Sequence, residues 1–245
     1  MTGGAWATTA ILLSAAAPLP LRAADWGATL TLASEYAFRG LMRTDGPALQ
    51  AGAHVQSAAG GFAGVWASTI DAQPASIGRA EANVTAGWGF DLGADWSAVL
   101  AAVRYLYPDA ASPRSRFDWN EYSVSLNHAD RLVLTASLAP DAPLYYAYGN
   151  FGNVRATALE ASWREPLASG AWGSLAFLAA LGRYDAVSHF GKPYLAWTLG
   201  AAVTTGPFDI TLTRVDVDGA AYRQFGPAAA DGRWILSVSW RYRAR

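Results

Sequence analysis

Between Arg233 and Tyr242 the chain reads RWILSVSWRY, and its side chains sort by parity. Trp234, Leu236, Val238, Trp240 and Tyr242 share one face of an extended chain, while Ile235, Ser237, Ser239 and Arg241 share the other, because successive side chains of a strand point to opposite sides. An entirely apolar face with aromatics at both ends has to be covered, either by a core or by lipid. The same alternation recurs in Trp26–Phe38, Pro47–Ser57, Phe62–Asp71, Arg79–Phe90 and Phe117–His128, and Asp95–Tyr107 is a further strand whose orientation stays open because both faces are apolar in places. The alternation continues through Arg131–Ala139, Gly152–Glu165, Trp172–Tyr184, Tyr194–Thr204 and Phe208–Val217. About twelve such segments, with no helix to cover them, point to an all-β chain: a transmembrane antiparallel up-and-down β-barrel.

Composition supports lipid over a dry core. Charged residues make up 15% of the chain, against roughly 25% in soluble domains. Yet no apolar run past the N-terminus reaches the roughly 18 residues that a membrane helix needs. Alternation reconciles the two. A lipid-facing sheet must also close on itself, since each unpaired backbone group in hydrocarbon costs several kcal/mol. Aromatics recur at the ends of the segments: Trp26, Trp88, Tyr107, Trp172, Trp240 and Tyr242, with Tyr105, Trp163 and Tyr184 beside them. Interfacial belts are built from such residues. The net charge of −1 argues against a nucleic-acid surface, and the absence of cysteine excludes disulfides and thiolate metal sites.

Residues 1–23 read as a cleaved signal peptide, with an apolar stretch from Ala5 to Ala17, then Pro18 and Pro20, and a small-residue site ending at Ala23. Residues 24–245 then form a single barrel domain. Its connections alternate in length. Ala58–Gly61, Asp91–Ala94, Ala129–Asp130, the Ser169-Gly170 turn and Gly206-Pro207 are short, whereas those between them are long and hold glycine and proline. Short periplasmic turns and longer outer loops are the transmembrane-barrel pattern.

The stretch from Leu30 to Asp71 contains SEYAFRG (Ser34–Gly40), DGPALQAG (Asp45–Gly52) and GFAGVWAS (Gly61–Ser68). It resembles the opening of the TorF-type porins, a proteobacterial family. Tyr105, Tyr107 and Pro108 are similar to the family's tyrosine-rich element, and Glu121 to its strand-six acid. The resemblance implies a Gram-negative outer-membrane β-barrel with a pore.

Candidate functional residues are charges and a histidine expected to line that pore. Glu35 and Arg39 are placed on the inner face of the first strand, and His54, Glu81, Arg104, Glu121, Glu160 and Arg164 on others. Opposed acids and bases inside a lumen set a field that tunes ion preference. They can equally serve to neutralise one another across a narrow space, and both readings stay open; for Arg39, at a strand rim, the structural one is favoured. Catalysis requires a nucleophile beside a general base, and His54, His128 and His189 offer no such grouping on a lipid face. Asp216 and Asp218 form a solvated rim rather than a calcium site, which takes six to eight oxygen ligands. The expectation is a porin-like channel for passive diffusion of small solutes or ions, without metal or cofactor. Its partners would be outer-membrane lipid and lipopolysaccharide, the barrel-assembly machinery and small solutes, with no nucleic acid. The alternative is a closed structural or adhesion barrel whose outer loops are the working surface.

Overall fold

A computed structural model describes residues 25–71, 78–110, 117–144, 152–185 and 192–244. The expected signal peptide and His189 lie outside them. The strands are β1 (Asp25–Ala33), β2 (Ala37–Phe38), β3 (Leu41–Met42), β4 (Ala48–Gln56), β5 (Gly61–Thr69), β6 (Ala80–Gly93) and β7 (Trp96–Leu106). They continue with β8 (Trp119–His128), β9 (Leu132–Leu144), β10 (Gly152–Gly170), β11 (Gly173–Asp185), β12 (Tyr194–Thr205), β13 (Phe208–Val217) and β14 (Arg233–Ala244). Two short helices, α1 (Gly219–Phe225) and α2 (Pro227–Ala230), precede β14. All strands but β2 and β3 form one closed barrel of 12, each antiparallel to its neighbours, and β14 completes the circle against β1.

The closing register sets Leu30 opposite Trp240 and Leu32 opposite Val238, all facing out. Leu32 is 59% exposed, whereas Ser237, in the adjacent residue pair, is 6% exposed. On most strands the apolar parity therefore forms the outside wall and the polar parity faces the lumen; β7 departs from this, with Val99, Val103 and Tyr105 facing in. At the end carrying the short connections, two hairpins turn on consecutive left-handed residues, Ala94-Asp95 and Ala129-Asp130. That backbone matches the twist of the flanking strands. We call this the short-turn end, and the opposite rim the long-connection end.

The structure corrects several boundaries. The first barrel strand stops at Ala33 instead of running to Phe38. Ser34 still pairs with Leu236 through its backbone N–H (2.8 Å), but beyond it the chain bends into the barrel. There Arg43 N–H donates to Tyr36 O (2.7 Å), and Tyr36 N–H to Thr44 Oγ1 (2.8 Å). These bonds set up the miniature β2–β3 hairpin, which pairs with no barrel strand. β9 runs past Ala139 through Pro140, whose missing N–H falls at a register shift opposite Val154 and Ala156, and on to Pro143, which pairs with Asn153. β10 likewise extends to Gly170, with a shift between Pro166 and Ala168.

The loop before β14 holds α1 and α2. Asp218 caps α1 by accepting from Ala220 N–H (3.0 Å) and Ala221 N–H (3.1 Å), and Asp216 pairs with Arg214 (3.0 Å). Fully buried Ala221 and the Phe225 ring, 5.6 Å edge-on to Tyr194, seat α1 against the inner face of β12.

Candidate functional site: the lumen

The β2–β3 hairpin crosses the lumen near the long-connection end. Its tip, Arg39-Gly40, has φ of 54° and 79°. At Gly40 a Cβ would stand 2.5 Å from Ala196 Cβ on β12 and 2.6 Å from Val217 Cγ1 on β13, so only glycine brings the tip this close to those strands. Arg39 Nη2 donates to Glu121 Oε2 on β8 (2.6 Å) and to Ser137 Oγ on β9 (3.2 Å). Tyr194 OH on β12 donates to Arg39 O (3.2 Å). The guanidinium also lies 5.0 Å from the Phe38 ring and 5.3 Å from Tyr184. Strands up to four positions apart in the barrel, β8 and β12, thus hold the same residue. Burial opposes the charge on Arg39, but Glu121 and Glu160 more than offset it and hold the guanidinium more firmly protonated than usual.

The hairpin's second arginine anchors its other flank. Arg43 Nη2 donates to Glu81 Oε2 (3.1 Å) and to Tyr107 OH (2.9 Å), while Tyr36 OH reaches Glu81 Oε1 (3.1 Å) and Tyr107 OH reaches Glu81 Oε2 (3.3 Å). Burial, reinforced by Glu81, pushes the Tyr36 hydroxyl well above its ordinary range, so it acts as a neutral donor. Glu81 itself is 1% exposed. Around it, Tyr105 and Trp119 stack at 4.0 Å, and Phe38 meets Tyr105 edge-on at 5.7 Å. Glu160 accepts from Tyr184 OH (2.8 Å), whose ring lies over Gly182, where a Cβ would collide with it.

A second polar group occupies the short-turn end. Arg241 Nη2 donates to Asp209 Oδ1 (3.1 Å), its Nε pairs with Asp209 Oδ2, and Thr204 Oγ1 donates to Asp209 Oδ1 (2.5 Å). Arg164 on β10 lies within Coulombic reach of both Asp209 and Arg241. Between the two levels the wall is small: Ser125, Thr135, Ser137, Thr211 and Ser237 face inward, and Ser125 Oγ lies 2.8 Å from Thr135 Oγ1.

Of the residues singled out from sequence, Glu81, Glu121, Glu160, Arg164 and His54 lie on inward parities, and His54 covers Gly27. Arg39 is in the lumen, but on the hairpin rather than on β1. Glu35 also lies beyond β1, at the long-connection rim, and accepts from Arg233 Nη1 (2.8 Å). Arg104 corrects the expectation outright. It shares the outer parity of β7 with Leu100 and faces Asp118 (3.7 Å) and Asp141 (3.9 Å) outside the barrel. The register that turns Arg104 outward turns Tyr105 inward, and Tyr107 keeps that direction beyond the strand end. Tyr105, Tyr107 and Tyr184, expected in the aromatic belt, are therefore lumenal and at most 3% exposed. Trp26, Trp88, Trp163, Trp172, Trp240 and Tyr242 lie outside at the short-turn end, with Trp26 and Tyr242 rings 5.1 Å apart. Sequence reasoning missed Arg43, hidden in a polar break, and Asp209, which shares its parity with Thr211 and Thr213.

Residues 20–239 match a family profile described as a bacterial protein of unknown function, Gcw_chp. The chain belongs to this family. No curated protein matches the sequence. Among solved structures, the Gcw_chp chain is similar to the KdgM porin, with a TM-score of 0.52 at 8% identity over 87% of this chain and 98% of that one. It is similar to the NanC porin with a TM-score of 0.51 at 10% identity, covering 89% and 99%. A KdgM porin in complex with disordered oligogalacturonate gives 0.50 at 9% identity, covering 88% and 98%. At these identities the likeness is one of fold: this member of Gcw_chp has a porin-like barrel.

Proposed function

We propose that the protein is a bacterial outer-membrane channel for passive diffusion of small solutes or ions, constricted by its lumenal hairpin. One observation carries this reading. The long-connection end is obstructed by a segment outside the barrel's hydrogen-bond ladder, clasped to β8 through Arg39 and to β6 through Arg43. Side chains of the wall alone fill an eight-stranded barrel, whereas wider ones leave a lumen. Here the wall below the hairpin includes small polar residues such as Ser125, Thr135, Thr211 and Ser237, and the lumen above it is occupied by an element outside the barrel's hydrogen-bond ladder. The porin-like fold and the resemblance of residues 30–71 to the TorF-type porins support the same reading. The constriction carries Glu81, Glu121 and Glu160 against Arg39 and Arg43, which favours neutral or cationic solutes.

A closed structural barrel is the second reading, favoured by the low exposure of inward residues such as Thr198 (2%) and Asn127 (2%). Planar-bilayer recordings separate the two, run beside a variant with Arg39 and Arg43 both changed to alanine. Discrete conductance steps that enlarge in the variant support the channel. Silence from both, with folding confirmed by heat-modifiable gel mobility, establishes the closed barrel instead.

A further inference from the structure

The inner face of β5 carries two large rings where the neighbouring strands carry glycine. Phe62, Gly64 and Trp66 all point into the lumen. The Phe62 ring reaches sideways over Gly87 on β6, where a Cβ would collide with it, and Trp66 Cδ1 lies 3.4 Å from where a Cβ on Gly52 of β4 would stand. Both rings therefore lie along the wall instead of across the lumen, and both stay partly exposed. Phe62 stands at the short-turn end of β5. Trp66 follows about 13 Å further along the strand, where it meets the Tyr36 ring edge-on at 5.6 Å, at the base of the hairpin. Each ring also has an amide beside it. Phe62 is the register partner of Gln56 on β4, and Trp66 that of Asn83 on β6, which sets the paired Cβ atoms about 5 Å apart on one face. Gln56 is 3% exposed and Asn83 8%, and among the described residues neither side-chain oxygen has a hydrogen-bond partner.

We propose that this strip, two ring–amide pairs separated by Gly64, binds small uncharged carbohydrates between the short-turn mouth and the hairpin. As a solute path it rests on the channel reading, and it narrows the cargo to neutral sugars. A pyranose has an apolar face of C–H groups and a rim of hydroxyls. The C–H face packs on an aromatic ring, whose face is electron-rich. The hydroxyls reach the amides, each of which offers an acceptor and two donors, and so supply the bonds that Gln56 and Asn83 lack within the wall. The inner faces of β4 and β5 carry no acid, lysine or arginine, and Glu81 on β6 is already engaged by Arg43 and two tyrosine hydroxyls. An organic cation would stack on the same rings but finds no free carboxylate on this strip, and an organic acid finds no cation on it.

Saturation-transfer NMR of maltotriose with the full chain in a sugar-free detergent reads binding without ion flow. Saturable transfer to the sugar C–H protons is expected from wild type. Trp66→Leu and Phe62→Leu each keep an apolar side chain and remove the ring, and should weaken binding about tenfold, or about 1.4 kcal/mol. Trp66→Phe should retain part of the affinity. Asn83→Leu removes an amide with no protein partner, so it should weaken binding several-fold without lowering the unfolding midpoint, a combination that a merely structural role would not produce. No transfer from wild type, or wild-type affinity in both leucine variants, overturns the site. Choline or succinate bound as well as maltotriose overturns the carbohydrate class. A wild type that conducts in planar bilayers yet binds no sugar loses the site and keeps the channel, whereas a barrel that binds sugar and conducts nothing refutes the channel and keeps the site.

Discussion

Arg39 and Glu121 are 82 residues apart in the chain and 2.6 Å apart in the lumen. Their side chains are 13% and 7% exposed, so the pair is buried as well as short. It ties a hairpin that belongs to no sheet of the wall to β8.

Removing one member strands the other. Arg39→Ala leaves a carboxylate in a poorly solvated site, a change that costs about 3–5 kcal/mol when a buried pair is broken from one side. The hairpin should undock, with cleavage by added protease appearing between residues 34 and 47 and larger single-channel steps. Arg39→Ala combined with Glu121→Gln should recover stability in denaturant titrations while keeping the protease sensitivity. Recovery of both would mean that the pair does not hold the hairpin.

Gly40→Ala should reproduce the release without altering any charge. The added methyl meets Ala196 and Val217 in a backbone conformation unfavourable to alanine. Overpacking of this kind costs about 1–3 kcal/mol. Its conductance should shift towards that of Arg39→Ala while ion selectivity stays as in wild type. Channels indistinguishable from wild type would show that the tip tolerates displacement.

Glu81 receives bonds from Tyr36, Arg43 and Tyr107. Glu81→Leu leaves all three donors short of an acceptor and should destabilise by several times as much as Tyr107→Phe, which removes a single hydroxyl worth about 1 kcal/mol. Guanidinium unfolding midpoints in detergent rank the two. Equal losses would place the anchoring elsewhere.

The outer wall has its own test. Val238 lies mid-strand between Leu32 and Ile210 on the outside face. Val238→Arg should cost about 2–4 kcal/mol in a bilayer, as cations do at the midplane of a barrel's lipid face, with most of the loss vanishing in detergent micelles. A change equal in both media would argue against lipid contact there.

Much of this protein was written in its parity. The alternation from Trp26 to Tyr242 determined the class of fold and placed the wall strands, except that β1 stops five residues short of the expected end and β9 and β10 run five residues past theirs. Turn residues supplied the short-turn end, and a period of two fixed which side of β14 is oily, because a strand offers its residues only two directions. Where both parities are apolar the signal fails. The β7 stretch around Arg104 and Tyr105 could be oriented only by its pairing with β6 and β8. The lumenal site lay beyond such reasoning for another reason. Ser34 to Pro47 reads locally as a strand end and an outer loop, and nothing in its spacing says that it folds inward. That choice belongs to the closed barrel. Only after β1 and β14 meet is there an interior in which Arg39 can find Glu121 and Arg43 can find Glu81, contacts whose energy exists at no shorter range along the chain.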